Sequence, residues 1–201
     1  MTPWRVALTF DVEHSDRPNR AGNTDRLLDA LDLADVPATL FLQGRWVEAF
    51  PDTARRIGSS RHHIAHHSHY HARFPLLSDE GIATDLRDGA AAIRDGVGID
   101  PQPWFRLPFG AGVDDPRVLA AIAAAGYRDV GWHVDGLDWE VGKTAATLEQ
   151  VIVDGATRHG DGAIVLSHGW PDPTHEALPG IVARLRSAGA EFVRVDALIA
   201  V

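Results

Sequence analysis

The apolar residues of the chain recur with two periods, and the segments that carry them take turns. Arg5 to Glu13 (Arg-Val-Ala-Leu-Thr-Phe-Asp-Val-Glu) is a short apolar run ending in acids, the pattern of a buried strand. Asn23 to Leu33 has an Asn cap and places Leu27, Leu28, Leu31 and Leu33 on a helical face. Ala38 to Leu42 is strand-like and closed by Gly44, and Trp46 to Ile57 is helical with a fresh start at Pro51. Ile64 to Ser68 predicts a third strand. Ser78 caps a long helix from Asp79 to Asp95, with Glu80 in its first turn. Trp104 to Leu107 is a strand stopped by Pro108, and Asp115-Pro116 opens a helix that reaches Ala125 before Gly126. Arg128 to Val134 then predicts a strand, Thr144 to Arg158 a helix, Ala163 to Ser167 a strand, His175 to Ala188 a helix and Glu191 to Val195 the last strand.

Strands that alternate with helices over short connections imply right-handed βαβ units and a mostly parallel sheet. The count of about seven strands suits a closed or nearly closed α/β barrel; periodicity alone leaves an open, doubly wound sheet as the alternative. No internal repeat, low-complexity tract or linker interrupts residues 1–201, which predicts one domain.

Composition narrows the chemistry. The chain has no cysteine, so thiolate ligands, disulfides and a cysteine nucleophile are excluded, and any metal must be held by His, Asp or Glu. A formal charge of -9 argues against nucleic acid as a partner, because phosphates need a basic face. No segment approaches the roughly 18 consecutive apolar residues of a membrane span. Met1 to Arg5 leads into the first strand without a signal-peptide core, so a cytoplasmic location is expected.

Ionisable residues collect where the predicted strands end. Asp11 and Glu13 close the first, His67 and His71 follow the third, Arg106 ends the fourth, Asp135 and Asp138 follow the fifth, and His168 follows the sixth. In parallel α/β folds the carboxyl ends of the strands build the active site. Each residue alone is an ordinary strand-end acid, surface cation or core histidine; together they form a constellation. Six of the eleven histidines lie between His62 and His71, and the four-residue spacing of His67 and His71 puts two imidazoles on one face of a helical turn. Two imidazoles and a carboxylate leave a coordination position open for water, so His67, His71 and Glu13 are the expected ligands of a divalent metal, Zn2+ first, with Co2+, Ni2+ or Fe2+ also suited to N/O donors. Asp11 lies two residues from Glu13 on the same strand face and is the candidate base, with Arg106 as its ion-pair partner. His168 is the candidate acid, its tautomer set by Asp138 or Asp135.

The sequence at this point resembles the polysaccharide deacetylase family, the NodB-homology domain also called carbohydrate esterase family four, over nearly the whole chain. Thr9-Phe10-Asp11-Val12-Glu13 is similar to its first motif (Thr-Phe-Asp-Asp-Gly), and His67-Ser68-His69-Tyr70-His71 to its second (His-Ser/Thr-x-x-His). Arg106-Leu107-Pro108-Phe109-Gly110 resembles the third (Arg-x-Pro-Tyr-Gly), Asp135-Gly136-Leu137-Asp138-Trp139 the fourth, and Leu166-Ser167-His168 the fifth. The resemblance implies a distorted (β/α) barrel, Asp11 as base, Arg106 as its tether, His67 and His71 as metal ligands and His168 as acid. It also implies an oxyanion donor in the backbone N–H of Phe109, beside Pro108, and an acetyl pocket lined by Leu166. Two positions depart from the pattern. Val12 replaces the second Asp of the first motif, so that Glu13, with Asp16 in reserve, becomes the third ligand, and Phe109 replaces a Tyr.

The function the resemblance implies is metal-dependent removal of an acetyl group from an N-acetylated amino sugar, whether a chitin- or peptidoglycan-type oligosaccharide or a small sugar precursor. Trp132, Trp139 and Trp170 are suited to stacking on a sugar ring. A deformylase or amidase acting on a non-sugar amide or imide uses the same groups. A catalytically silent relative that binds metal or carbohydrate is the third alternative.

Overall fold

The computed structural model describes residues 3–14 and 22–199. Its strands are β1 (Trp4–Val12), β2 (Thr39–Leu42), β3 (His63–His66), β4 (Trp104–Phe105), β5 (Arg128–Asp129), β6 (Val134–Asp135), β7 (Ala163–His168) and β8 (Ala190–Phe192). Every pairing among them is parallel, in the order β5-β4-β3-β2-β1-β7-β6, with β8 on the N-terminal end of β1. The helices are α1 (Asn23–Leu33), α2 (Gly44–Ala49), α3 (Pro51–Gly58), α4 (Asp79–Val97), α5 (Pro116–Ala124), α6 (Ala145–His159), α7 (Asp172–Ser187) and α8 (Val195–Leu198). The sheet curls into a half-barrel, the distorted (β/α) barrel that the motifs imply.

Alternation along β1 explains the curl. Val6, Leu8, Phe10 and Val12 point outward into the main core, where they meet Leu27, Leu28 and Leu31 of α1 and Leu178, Ile181 and Val182 of α7. Ala7, on the other face, joins Phe41, Ala65, Trp104 and Ile164 of the neighbouring strands in a separate interior cluster. Val195 of α8 completes that interior, its N–H donating to Thr39 Oγ1 at 3.0 Å. A third cluster, with Phe74, Ile82, Leu86, Phe105 and Ile122, lies under α4 and α5.

One predicted strand, Arg128 to Val134, is two two-residue strands separated by residues 130–133, so eight short strands stand where seven are expected. The two pieces have different partners, β5 pairing with β4 and β6 with β7. The Arg106 guanidinium takes the carbonyls of Val130 (3.0 Å) and Gly131 (3.3 Å), acceptors that a continuous strand would have offered to a neighbour. The last strand also ends early, at Phe192, because Val195 begins a helix.

Candidate active site

Asp11 lies within β1 and Glu13 just beyond it, and both side chains are buried. His67 follows β3, Arg106 follows β4, and His168 ends β7. Register brings them together: Asp11 pairs with Phe41 on one side and His168 on the other, and His66 pairs with Phe105. Among the described residues six non-glycine positions have positive φ, and five of them border this edge: His14 (60°), Ser68 (63°), His71 (60°), Phe109 (59°) and Leu137 (52°). Left-handed backbone at such residues persists only where the surroundings enforce it, and it concentrates at functional sites. At His71 the enforcing bond is its N–H to Ser68 Oγ, 2.8 Å.

Glu13, His67 and His71 form the one three-residue donor group within metal-binding reach among the described residues. Glu13 Oε2 lies 3.1 Å from His67 Nε2 and also contacts His71 Nε2. His67 Nδ1 is 2.9 Å from the Arg106 carbonyl, which can only accept, so Nδ1 carries the proton and a neutral His67 turns its Nε2 lone pair toward the carboxylate. Lone pairs facing a carboxylate oxygen require a cation between them or an extra proton. The donor set therefore fits a divalent metal. Burial pushes the Glu13 carboxyl up, yet the imidazoles of His14, His67 and His71 against it outweigh that and hold Glu13 well below the usual carboxylate range. For His67 burial works downward, and the adjacent Asp11 and Glu13 carboxylates raise it all the same. Asp16 lies outside the described residues.

Asp11 sits beside this group, Oδ2 being 3.5 Å from His67 Nε2. Its other oxygen accepts from Arg106 at 2.8 Å. The same guanidinium nitrogen reaches Thr9 Oγ1 at 2.9 Å, and the Phe41 ring lies 3.9 Å away. Arg106 is thus completely buried, with hydrogen bonds from all three guanidinium nitrogens. On the far side of Glu13, His168 Nδ1 is 2.7 Å from Asp138 Oδ1, while Asp138 Oδ2 accepts from the His168 N–H (2.7 Å) and from Thr174 Oγ1 (2.6 Å). Burial disfavours the imidazolium, but the Asp138 carboxylate outweighs it and raises His168 to about 9. Of the two acids open from sequence, then, Asp138 is the one that contacts His168. Asp135 instead accepts from the Leu137 N–H at 2.9 Å and lines the cleft, its carboxyl pushed up by burial.

These groups open into a cleft of about 410 Å³, lined also by Arg73, Leu107, Phe109, Trp132, Leu166 and Trp170. Phe109 is 52% and Trp139 49% exposed at its mouth, the Phe109 ring lying 4.4 Å from that of His71 with the Arg73 guanidinium 4.1 Å over it. Pro108 is buried and starts the 3-10 turn that carries Phe109. Several participants escaped the sequence reading. Thr9 steadies Arg106, and Thr174 steadies Asp138. Asp85 of α4 accepts from the N–H groups of His69 (2.7 Å) and Tyr70 (3.0 Å) and so holds the histidine turn. Thr9, inside the first motif, and Ser68, inside the second, carried a local signal, whereas Thr174 and Asp85 carried none.

A parallel half-barrel with a cation-type donor group and two buried acid–base pairs at its carboxyl edge defines the class. Residues 2–130 match the family described as polysaccharide deacetylase, and the chain belongs to that family. It is 32% identical over 194 residues to the peptidoglycan-N-acetylglucosamine deacetylase PgdA of Listeria monocytogenes, covering 96% of this chain and 38% of that protein; it thus spans well under half of that relative's length. The T48 deacetylase, solved with substrate, superposes with a TM-score of 0.82 at 33% identity, covering 98% of this chain and 90% of that one. A CE4 family pseudoenzyme from Bacillus anthracis superposes at 0.86 with 26% identity, covering 98% and 65%.

Proposed function

We propose that the chain is a metal-dependent deacetylase that hydrolyses the acetamide of an N-acetylated amino sugar. One observation carries the reading: a single Glu13 oxygen lies between His67 and His71, with the Arg106-held Asp11 on one side and the Asp138-held His168 on the other. A divalent cation, Zn2+ by default, held by Glu13, His67 and His71 would supply Lewis-acid activation of a water and of the acyl carbonyl. Asp11, oriented by Arg106, takes the proton from the attacking water. The backbone N–H of Phe109 serves the developing oxyanion, a role typically worth about 3 kcal/mol. His168, protonated against Asp138, gives its Nε2 proton to the departing amine. Water adds to the acyl carbon, the C–N bond breaks, and acetate and a free amine result. Leu166 lines the cleft where the acetyl methyl sits, and Trp139 offers a stacking face to the sugar.

The test joins metal content by mass spectrometry to acetate release from N-acetylglucosamine oligomers, on wild type and Glu13→Ala. The expected result is about one metal per chain with acetate released, and both lost in the variant. Metal without acetate would transfer the reading to formamide, imide or other amide substrates. Protein prepared without chelator that holds no metal would place this chain with the silent members of its family, such as the pseudoenzyme it resembles.

A further inference from the structure

We propose that His14 is a positioning residue for the cation centre, fastening one oxygen of Glu13 so that the other stays between His67 and His71. The inference rests on the reading that these three residues hold a divalent cation.

The geometry divides the two Glu13 oxygens between two tasks. Oε2 faces the Nε2 atoms of His67 and His71, whereas Oε1 lies 2.8 Å from His14 Nε2. An ionised carboxylate only accepts, so His14 Nε2 carries the hydrogen of that bond. In an extended strand adjacent residues point to opposite faces. Here the left-handed turn at His14, φ 60°, lets two consecutive side chains meet, and the His14 N–H donates to Gln43 Oε1 at 3.0 Å. The ring is then wedged edge-on between His71 (centroids 4.9 Å) and Trp170 (5.9 Å). Strained backbone, a buried acceptor and two ring contacts thus converge on one imidazole.

The arrangement answers a physical problem set by this sequence. Val12 points into the core, so the carboxylate falls to a glutamate, whose extra methylene adds a rotor. An untethered Glu13 is free to turn either oxygen toward the histidines. Its Oε1 also lies 3.9 Å from His168 Nε2, a second ring nitrogen toward which it can turn. A donor on Oε1 suppresses both movements. This is the outer-shell hydrogen bonding that orients metal-binding carboxylates and commonly changes affinity by about 10–100-fold.

The experiment uses cobalt as the probe, with the full chain as wild type, His14→Ala and His14→Gln. Each protein is titrated with Co2+ against a chromogenic chelator, and the visible absorption of the bound ion is recorded. His14→Ala is expected to weaken cobalt binding by about 10–100-fold and to alter the absorption band, and His14→Gln, which retains a side-chain N–H, to recover part of both. Urea midpoints in excess chelator should agree across the three proteins. Wild-type affinity and spectrum in His14→Ala would overturn the proposal. So would equal losses in both variants that track a loss of chelated stability, since His14 would then only support the fold. A wild type that binds no cobalt would overturn the reading of the centre itself, an outcome distinct from either.

Discussion

Burial alone would strip the charge from His168, and its partner restores it. The imidazole stands raised to about 9 against an ordinary 6.5 because Asp138 lies 2.7 Å from Nδ1. With the folded value above the unfolded one, the stabilisation from this pair is full below pH 6.5 and is lost as pH rises through about 9. Asp138→Asn removes the charge and keeps the shape. His168 should then titrate lower by about 1–3 units, and the alkaline limb of kcat/KM should move down with it. A pH–rate profile of the variant that keeps the wild-type limb would remove His168 from the acid role. At this scale sequence named residues that the fold brings to one cleft and left their partners open. Asp135 and Asp138 are three residues apart with the same chemistry, and only their loop path, through the left-handed Leu137, turns one to His168 and the other to a backbone N–H.

The elements reach the site through close approach. Gly89 of α4 lies against the histidine turn, where a Cβ would press the His66 ring and come within 2.9 Å of the Ser68 carbonyl carbon and 3.0 Å of the His69 nitrogen. Gly44, opening α2, stands with its own missing Cβ 2.9 Å from Gly89 Cα. These two glycines let α2 and α4 pack closely enough for Asp85 to hold the His69 and Tyr70 amides. Gly89→Ala should therefore cost about 1–3 kcal/mol of stability, as overpacked cores do. It should also weaken metal binding although it touches no ligand, because α4 and the turn must separate. Urea denaturation and cobalt titration check the two effects, and a variant that loses stability while keeping cobalt affinity would uncouple helix from turn. The alternation of strand and helix that placed these elements was readable in the sequence, whereas the glycine contact was not, since Gly89 looks like a weak spot in a helix and Gly44 like the end of a strand until their neighbours are known.

At the scale of the molecule, the buried edge makes folding depend on charge. His66 is pushed by burial down to about 3, and both its ring nitrogens are buried without hydrogen-bond partners among the described residues. Below pH 6.5 the unfolded chain gains a proton there that the folded one refuses, so this group removes stability by up to about 1.4 kcal/mol per pH unit on acidification. His66→Phe, denatured with urea across this range in excess chelator, should show a flatter acid slope; an unchanged slope would shift the cause elsewhere. What the sequence by itself determined is the alternating parallel architecture, the ionisable residues at the strand ends and the family, because period and motif are properties of neighbours along the chain. It also pointed to Glu13, since a two-residue repeat puts it on the face of Asp11. Only the tertiary structure decided that Arg106 takes the carbonyls of Val130 and Gly131 between β5 and β6, that Asp138 rather than Asp135 meets His168, and that His14 turns back onto Glu13. Those are contacts between groups that backbone path alone brings together, and no local pattern encodes that path.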